Sequence, residues 1–323
     1  MKRNMRVKVT MIMISTLCVI PFDARAESND YSAWSSAVRV ESLSGTDPSF
    51  NGPDLDGCPF ISRDDKTFYM ASTRPGGLGG IDIWVSTRES AGDPWGAPVN
   101  VGPPVNSSAN DFCPTLARDG HLFYFVSNRA GFCGGDDIFV TRLRPDGWDP
   151  VSNLGCTVNS SANEASPFPL LERGLGEVLY FSSNRAGGFS VEAPGALSGD
   201  SDLYQSTSQG GTFGTPALVP GANSAAEDGQ PTLRRDGLEL LFFSTRPGTL
   251  GLADIYSSTR AGSADPWSTP VNLGPNVNSA SAETRPSLSW DGTTLYFGST
   301  RPGGEGMADH YVTTRERLTG GDG

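Results

Sequence analysis

Apolar residues run through this chain in short alternating bursts, not at helical spacing. Leu122-Phe123-Tyr124-Phe125-Val126 and Leu240-Leu241-Phe242-Phe243 are typical, each bounded by Gly, Pro, Asn or Ser. Bursts of that length and period predict short, half-buried β-strands. The stretch 283–314 shows the unit. A strand over 286–289 meets an Asp291-Gly292 turn, a two-residue hairpin signal. A second strand follows over 294–298, and the link Arg301-Pro302-Gly303-Gly304 leads to a third over 310–313. Three short antiparallel strands cannot cover both of their faces, so they need neighbours of the same kind.

The chain supplies four more copies. The proline taken to open the first strand is Pro59, Pro114, Pro167, Pro231 and Pro286; the arginine closing the second is Arg74, Arg129, Arg185, Arg246 and Arg301. An aspartate opens the third: Asp82, Asp137, Asp202, Asp254 and Asp309. The mean period is about 57 residues, a length that suits propeller blades. A fourth strand lies between copies, marked by an aromatic and a short β run: Trp95 with 98–101, Trp148 with 151–154, Phe213 with 216–219, Trp267 with 270–273. The last copy lacks it at the C-terminus, and residues 34–40, starting with Trp34, fit the same spacing at the N-terminus. A ring closed by the first strand removes the open edges of a linear array. The expected architecture is all-β: a five-bladed β-propeller of four-stranded antiparallel blades, occupying 27–320. The repeats fall near 56–110, 111–163, 164–226, 227–282 and 283–314, with 321–323 a tail. The 40 glycines and 24 prolines, which would suggest disorder if unpatterned, recur at fixed places as turn residues.

Residues 1–26 have the layout of a secretory signal peptide: basic Lys2, Arg3, Arg6 and Lys8, an apolar core over 9–20, and Ala24-Arg25-Ala26 for cleavage. The apolar run is short for a membrane span. A periplasmic or secreted protein without membrane insertion is expected. Cleavage removes five positive charges and one negative, so the net charge falls by four, from −12 to −16. That argues against nucleic acid as partner. Of the five cysteines, Cys18 leaves with the leader, and Cys58, Cys113, Cys133 and Cys156 allow three disulfide connectivities in an oxidising compartment. Cys58 and Cys113 hold equivalent positions in adjacent copies, and Cys133 and Cys156 belong to one repeat, which favours those pairings.

The repeat, proline–x–aliphatic–Ser–x–Asp–Gly followed by Leu-Tyr-Phe and an Asp-Ile-Tyr strand, resembles the TolB-type, WD40-like propeller repeat of bacterial exported proteins. The resemblance covers 34–314 and implies a propeller. It leaves function open, because such blades serve binding proteins and enzymes alike. The chain departs from TolB itself in lacking a separate α/β domain at its N-terminus.

In blades of strands A to D, the A–B link is a uniform Asp-Gly turn, while the B–C and D–A links are longer and variable. Variable loops on a repeated scaffold are where ligands are expected. Three residues before each strand-A proline stands a carboxylate: Asp56, Asp111, Glu164, Asp228 and Glu283. They are candidates to ring one mouth of the axial channel, and each also suits a structural pairing with its blade's arginine. The residue just before each proline breaks the symmetry: Cys58, Cys113, Ser166, Gln230 and Arg285. Gln230 and Arg285 join the carboxylates as candidate ligand contacts. The third B–C link is long and carries Phe189, Glu192 and Pro194. Of two histidines, His121 follows a turn, and His310 replaces the aliphatic residue of the Asp-Ile-Tyr pattern. No histidine–cysteine metal set, nucleophile elbow or phosphate loop stands out. No cofactor is expected; Asp136-Asp137 and Asp200-Ser201-Asp202 are weak candidates to touch calcium. The first expectation is a monomeric exported scaffold binding a protein, peptide or glycan through its B–C/D–A face. The alternative is a carbohydrate-active hydrolase or lyase using the mouth carboxylates.

Overall fold

The computed structural model describes residues 31–189 and 201–318. They form five antiparallel sheets set around one axis, a five-bladed β-propeller. Strands A, B and C are Asp56–Ile61, Thr67–Ser72 and Asp82–Thr87 in blade 1, and Asp111–Leu116, Leu122–Ser127 and Asp137–Arg144 in blade 2. They are Glu164–Glu172, Gly176–Ser183 and Asp202–Gln209 in blade 3, Asp228–Leu233, Glu239–Ser244 and Asp254–Thr259 in blade 4, and Glu283–Leu288, Thr294–Ser299 and Asp309–Thr314 in blade 5. The outer D strands are two-residue pieces, such as Val99–Asn100 and Val271–Asn272. Blade 5 takes its D strand from the N-terminus: Val38 pairs with Val312 and Arg39 with Tyr311.

Strand A starts three residues earlier than its proline suggested, at the carboxylate. The proline sits inside the strand, just after a bulge, where the A–B register shifts between Gly57 and Phe60, or between Thr284 and Ser287. A residue without an N–H fits where the ladder skips a bond. The bulge residue before it has left-handed backbone in every blade: φ is 48° at Cys58 and Cys113, 49° at Ser166, 57° at Gln230 and 56° at Arg285.

The core lies between blades. One cluster joins Val40 of the N-terminal segment and Val312 and Tyr296 of blade 5 to Phe68, Met70 and Trp84 of blade 1. Another joins Leu241 and Ile255 of blade 4 to Leu295, Phe297 and Trp34. Each strand thus buries one side chain set against its own blade's neighbour, which is why no blade is stable alone and five are. An asparagine from each D–A loop locks the second residue of strand C through both backbone groups, as Asn106 does at Ile83 (2.9 and 2.8 Å) and Asn278 at Ile255 (2.8 and 2.9 Å). At Gly79 in a B–C loop, a Cβ would overlap the Ala109 carbonyl of the next D–A loop, so glycine is required for the blades to close up.

Candidate functional site

Strand A carries its residues down the axis in three layers. The first holds the five carboxylates. They do not ring an open mouth, as the sequence suggested: Asp56, Asp111, Glu164, Asp228 and Glu283 have no exposed surface. Each is paired with its blade's arginine, at 2.6 Å for Arg74–Asp56, Arg129–Asp111 and Arg246–Asp228, 2.9 Å for Arg185–Glu164 and 3.0 Å for Arg301–Glu283. Each also accepts a D–A loop N–H, from Gly52, Ser107, Ser160, Ser224 or Ser279, at 2.5–2.8 Å. The arginines reach on to loop carbonyls such as Phe50 and Val105. Buried and hydrogen-bonded on both sides, these groups fasten each D–A loop to its blade. The strand-C aspartates do the same for the B–C loops: Asp137 accepts the Cys133 N–H at 2.8 Å and Asp254 that of Leu250 at 2.6 Å.

The second layer is a pinch. Cys58, Cys113, Ser166, Gln230 and Arg285 with their prolines surround a cavity of about 30 Å³, room for a water or two. Cys58 and Cys113 are joined across it as a disulfide, with Cα atoms 4.7 Å apart, and Cys133 is joined to Cys156. Gln230 Oε1 accepts the Arg285 N–H at 2.8 Å. The Arg285 side chain lies over Gly57, its Nε without a partner. Burial lowers its pKa, with the charge of Glu227 acting the other way. Gln230 and Arg285 therefore plug the axis where a ligand contact was expected.

The third layer opens. At the A–B end of the channel a funnel of about 620 Å³ widens to solvent, on the face opposite the one the loop variability favoured. Its floor is apolar, with Phe60, Phe168, Leu233 and Leu288, and Tyr69 in the wall. Its rim comes from the Asp-Gly turns: Arg63 and Asp64 of blade 1, Arg118 and Asp119 of blade 2, Arg235 of blade 4 and Trp290 of blade 5. Blades 1 and 2 supply most of the wall. The Arg63 guanidinium lies 4.8 Å and that of Arg118 5.8 Å from the centre of the Trp290 ring. The rim aspartates face inward to their own turns. Asp64 accepts the Ser62 hydroxyl (2.6 Å) and Asp119 the N–H groups of His121 (2.8 Å) and Leu122 (3.0 Å). Arg63, Arg118 and Arg235 make no ion pair among the described residues.

These rim residues were missed because the A–B turns look uniform. The signal was present: the residue before each turn aspartate reads Arg63, Arg118, Arg235 and Trp290. Glu192, Pro194 and Asp200 fall outside the described residues. Among the described residues no group of three acidic, histidine or cysteine side chains is close enough to hold a metal ion. His310 is fully buried; its Nδ1 lies 3.0 Å from Asn51 Oδ1, and burial pushes its pKa down to about 4.

No family model and no curated protein matches the chain. Solved structures do, and they are mainly glycoside hydrolases. A thermostable family-43 glycoside hydrolase aligns over 86% of this chain and 94% of its own, at 15% identity and a TM-score of 0.53. An endo-arabinase from Bacteroides thetaiotaomicron aligns over 84% and 99%, at 17% identity and 0.55. A putative TolB from Agrobacterium tumefaciens aligns over 83% and 78% at 14% identity, with a TM-score of 0.47, too low to argue from. At such identities the likeness is one of fold.

Proposed function

We propose that the protein is carbohydrate-active and takes a saccharide in the funnel on its A–B turn face. The funnel itself carries this proposal: about 620 Å³, apolar at its floor and polar at its rim, it has the size and lining of a small-ligand site. The opposite end of the axis is filled by the pinch. The arabinofuranosidase and arabinase among the structural neighbours support carbohydrate over peptide as the ligand. The concentration of the funnel wall in blades 1 and 2 also favours a site over a symmetric scaffold.

Hydrolysis requires one carboxyl protonated and one ionised. The buried ring cannot supply that pair, since every member is out of reach of the funnel and paired with an arginine. Asp65 and Asp291, in the turns that carry the rim residues Asp64 and Trp290, shift in opposite directions but lie outside the funnel lining. Burial raises the pKa of Asp65, the charge of Asp291 adds to this, and one Asp65 oxygen is buried without a partner. For Asp291 burial acts upward, but hydrogen bonds from Ser289 (2.6 Å) and from the Thr293 N–H and hydroxyl outweigh it and hold the group low. Neither carboxyl lines the funnel, so no residue is assigned to hydrolysis here. TolB-type blades and export through the leader at 1–26 belong to the same proposal, on their sequence motifs.

A glycan array with reducing-end release measured on arabinan tests both parts. Binding without release removes the hydrolytic part of the proposal. No binding to any glycan removes the proposal.

A further inference from the structure

We infer that the saccharide held in this funnel is anionic, its carboxylates gripped by Arg63, Arg118 and Arg235. The inference rests on the saccharide reading and adds the charge of the ligand. Its ground is the gathering of three exposed cations at one funnel. The chain carries 36 acidic and 24 basic residues, and its blade arginines are tied to carboxylates. Arg234, next to Arg235, is bound twice over, to Asp236 at 2.9 Å and to Glu239 at 3.1 Å. Exposed Arg173 and Arg317 also make no ion pair among the described residues, but neither faces the funnel. What sets Arg63, Arg118 and Arg235 apart is that all three are exposed at one funnel, with no ion pair among the described residues.

The neighbouring aspartates do not neutralise them. Asp64 and Asp119 lie in the same turns, but their oxygens are taken by the turn hydroxyl and N–H groups, and Asp119 has Arg142 at 3.6 Å as its cation. Those bonds hold both groups below the usual carboxylate range, although burial acts upward on each. Trp290 holds two of the guanidiniums over its ring, which restricts them before a ligand arrives. Three planar donors spaced around an apolar-floored funnel suit a sugar chain with a carboxylate on successive residues: the sugar faces meet the floor, and the carboxylates meet the rim in two-point contacts.

Calorimetric titration with hexagalacturonate and with its methyl ester, which removes the charge and keeps the chain, tests the inference on the mature protein. The acid should bind at least about tenfold more tightly than the ester, and its affinity should fall steeply between about 50 and about 500 mM NaCl. Arg63→Ala should weaken the acid about tenfold and the triple variant Arg63→Ala/Arg118→Ala/Arg235→Ala by more than about a hundredfold, with the ester unaffected. Arg173→Ala, in the blade 3 turn outside the funnel, should change nothing. Equal affinity for acid and ester overturns the inference, as does a triple variant that binds normally. A neutral arabino-oligosaccharide bound in the funnel would then leave the saccharide reading standing; binding of no glycan removes both.

Discussion

The guanidinium of Arg315 lies 4.4 Å from the centre of the Trp34 ring, joining the end of the propeller to its beginning. Arg88 makes the same contact with Trp95 at 4.1 Å and Arg260 with Trp267 at 4.2 Å, each within a single continuous blade. Around it, Ser35 donates its N–H to the Thr314 carbonyl at 2.8 Å, as Gly96 does to Thr87 at 3.1 Å. The closing blade therefore repeats the geometry of the others across the chain ends.

Trp34→Ala should cost about 3–5 kcal/mol, because it leaves a cavity beside Leu241, Leu295 and Tyr311 and strips Arg315 of its cover. Urea unfolding of the mature protein measures this. A loss under about 1 kcal/mol would show that the N-terminal strand contributes nothing to closure.

Arg74→Leu should cost about 3–5 kcal/mol, since Asp56 is left buried without its cation and the Phe50 carbonyl without its donor. Adding Asp56→Asn should recover part of that loss. A double variant no more stable than Arg74→Leu would mean that the charge of Asp56 is not what the arginine compensates.

Blade number, strand order and ring closure were legible in the sequence because each is a repeated event: five prolines, five arginines, five aspartates and one displaced tryptophan motif. Repetition also separated structural from variable positions, so the packed role of His310 followed from the aliphatic residues at Ile83, Ile138 and Ile255. The site was harder to read. Whether a carboxylate faces water or an arginine depends on side-chain direction across the bulge. The bulge itself was hidden, because proline reads as a strand opener. The funnel was hidden for another reason. The width of a channel is set by how far five strands splay along the axis, and no single repeat encodes that.

Between about pH 6.5 and about pH 4, stability should fall with pH because of His310. Its folded pKa, about 4, lies below the ordinary 6.5, so the unfolded chain takes up the proton first. The contribution is full above pH 6.5 and is lost as pH falls through that window, by about 3 kcal/mol at most. His310→Ile restores the residue type of the other blades and keeps the Asn51 clamp on the backbone, at 2.9 Å from the residue's N–H. The difference in stability between the two proteins should grow toward acid pH. A constant difference would mean that the imidazole is not protonated on unfolding.

Arg285→Met should leave the melting temperature unchanged or raise it. If Arg285 neutralised a ring of like charges, its loss would destabilise. The structure gives each ring carboxylate its own arginine and leaves Arg285 in the narrow pinch, with Nη1 3.5 Å from the Thr284 hydroxyl and Nε unpartnered. A cation drawn out of water with so little hydrogen bonding is a cost to the fold, which the lowered pKa reflects. Methionine keeps the length of the side chain that covers Gly57 and removes the desolvated charge. The left-handed backbone at 285 is unfavourable for both residues and cancels in the comparison. A fall in stability of more than about 1 kcal/mol would place Arg285 in an ion pair that holds the blades together, and saccharide binding on the far side of the pinch should be the same in both proteins.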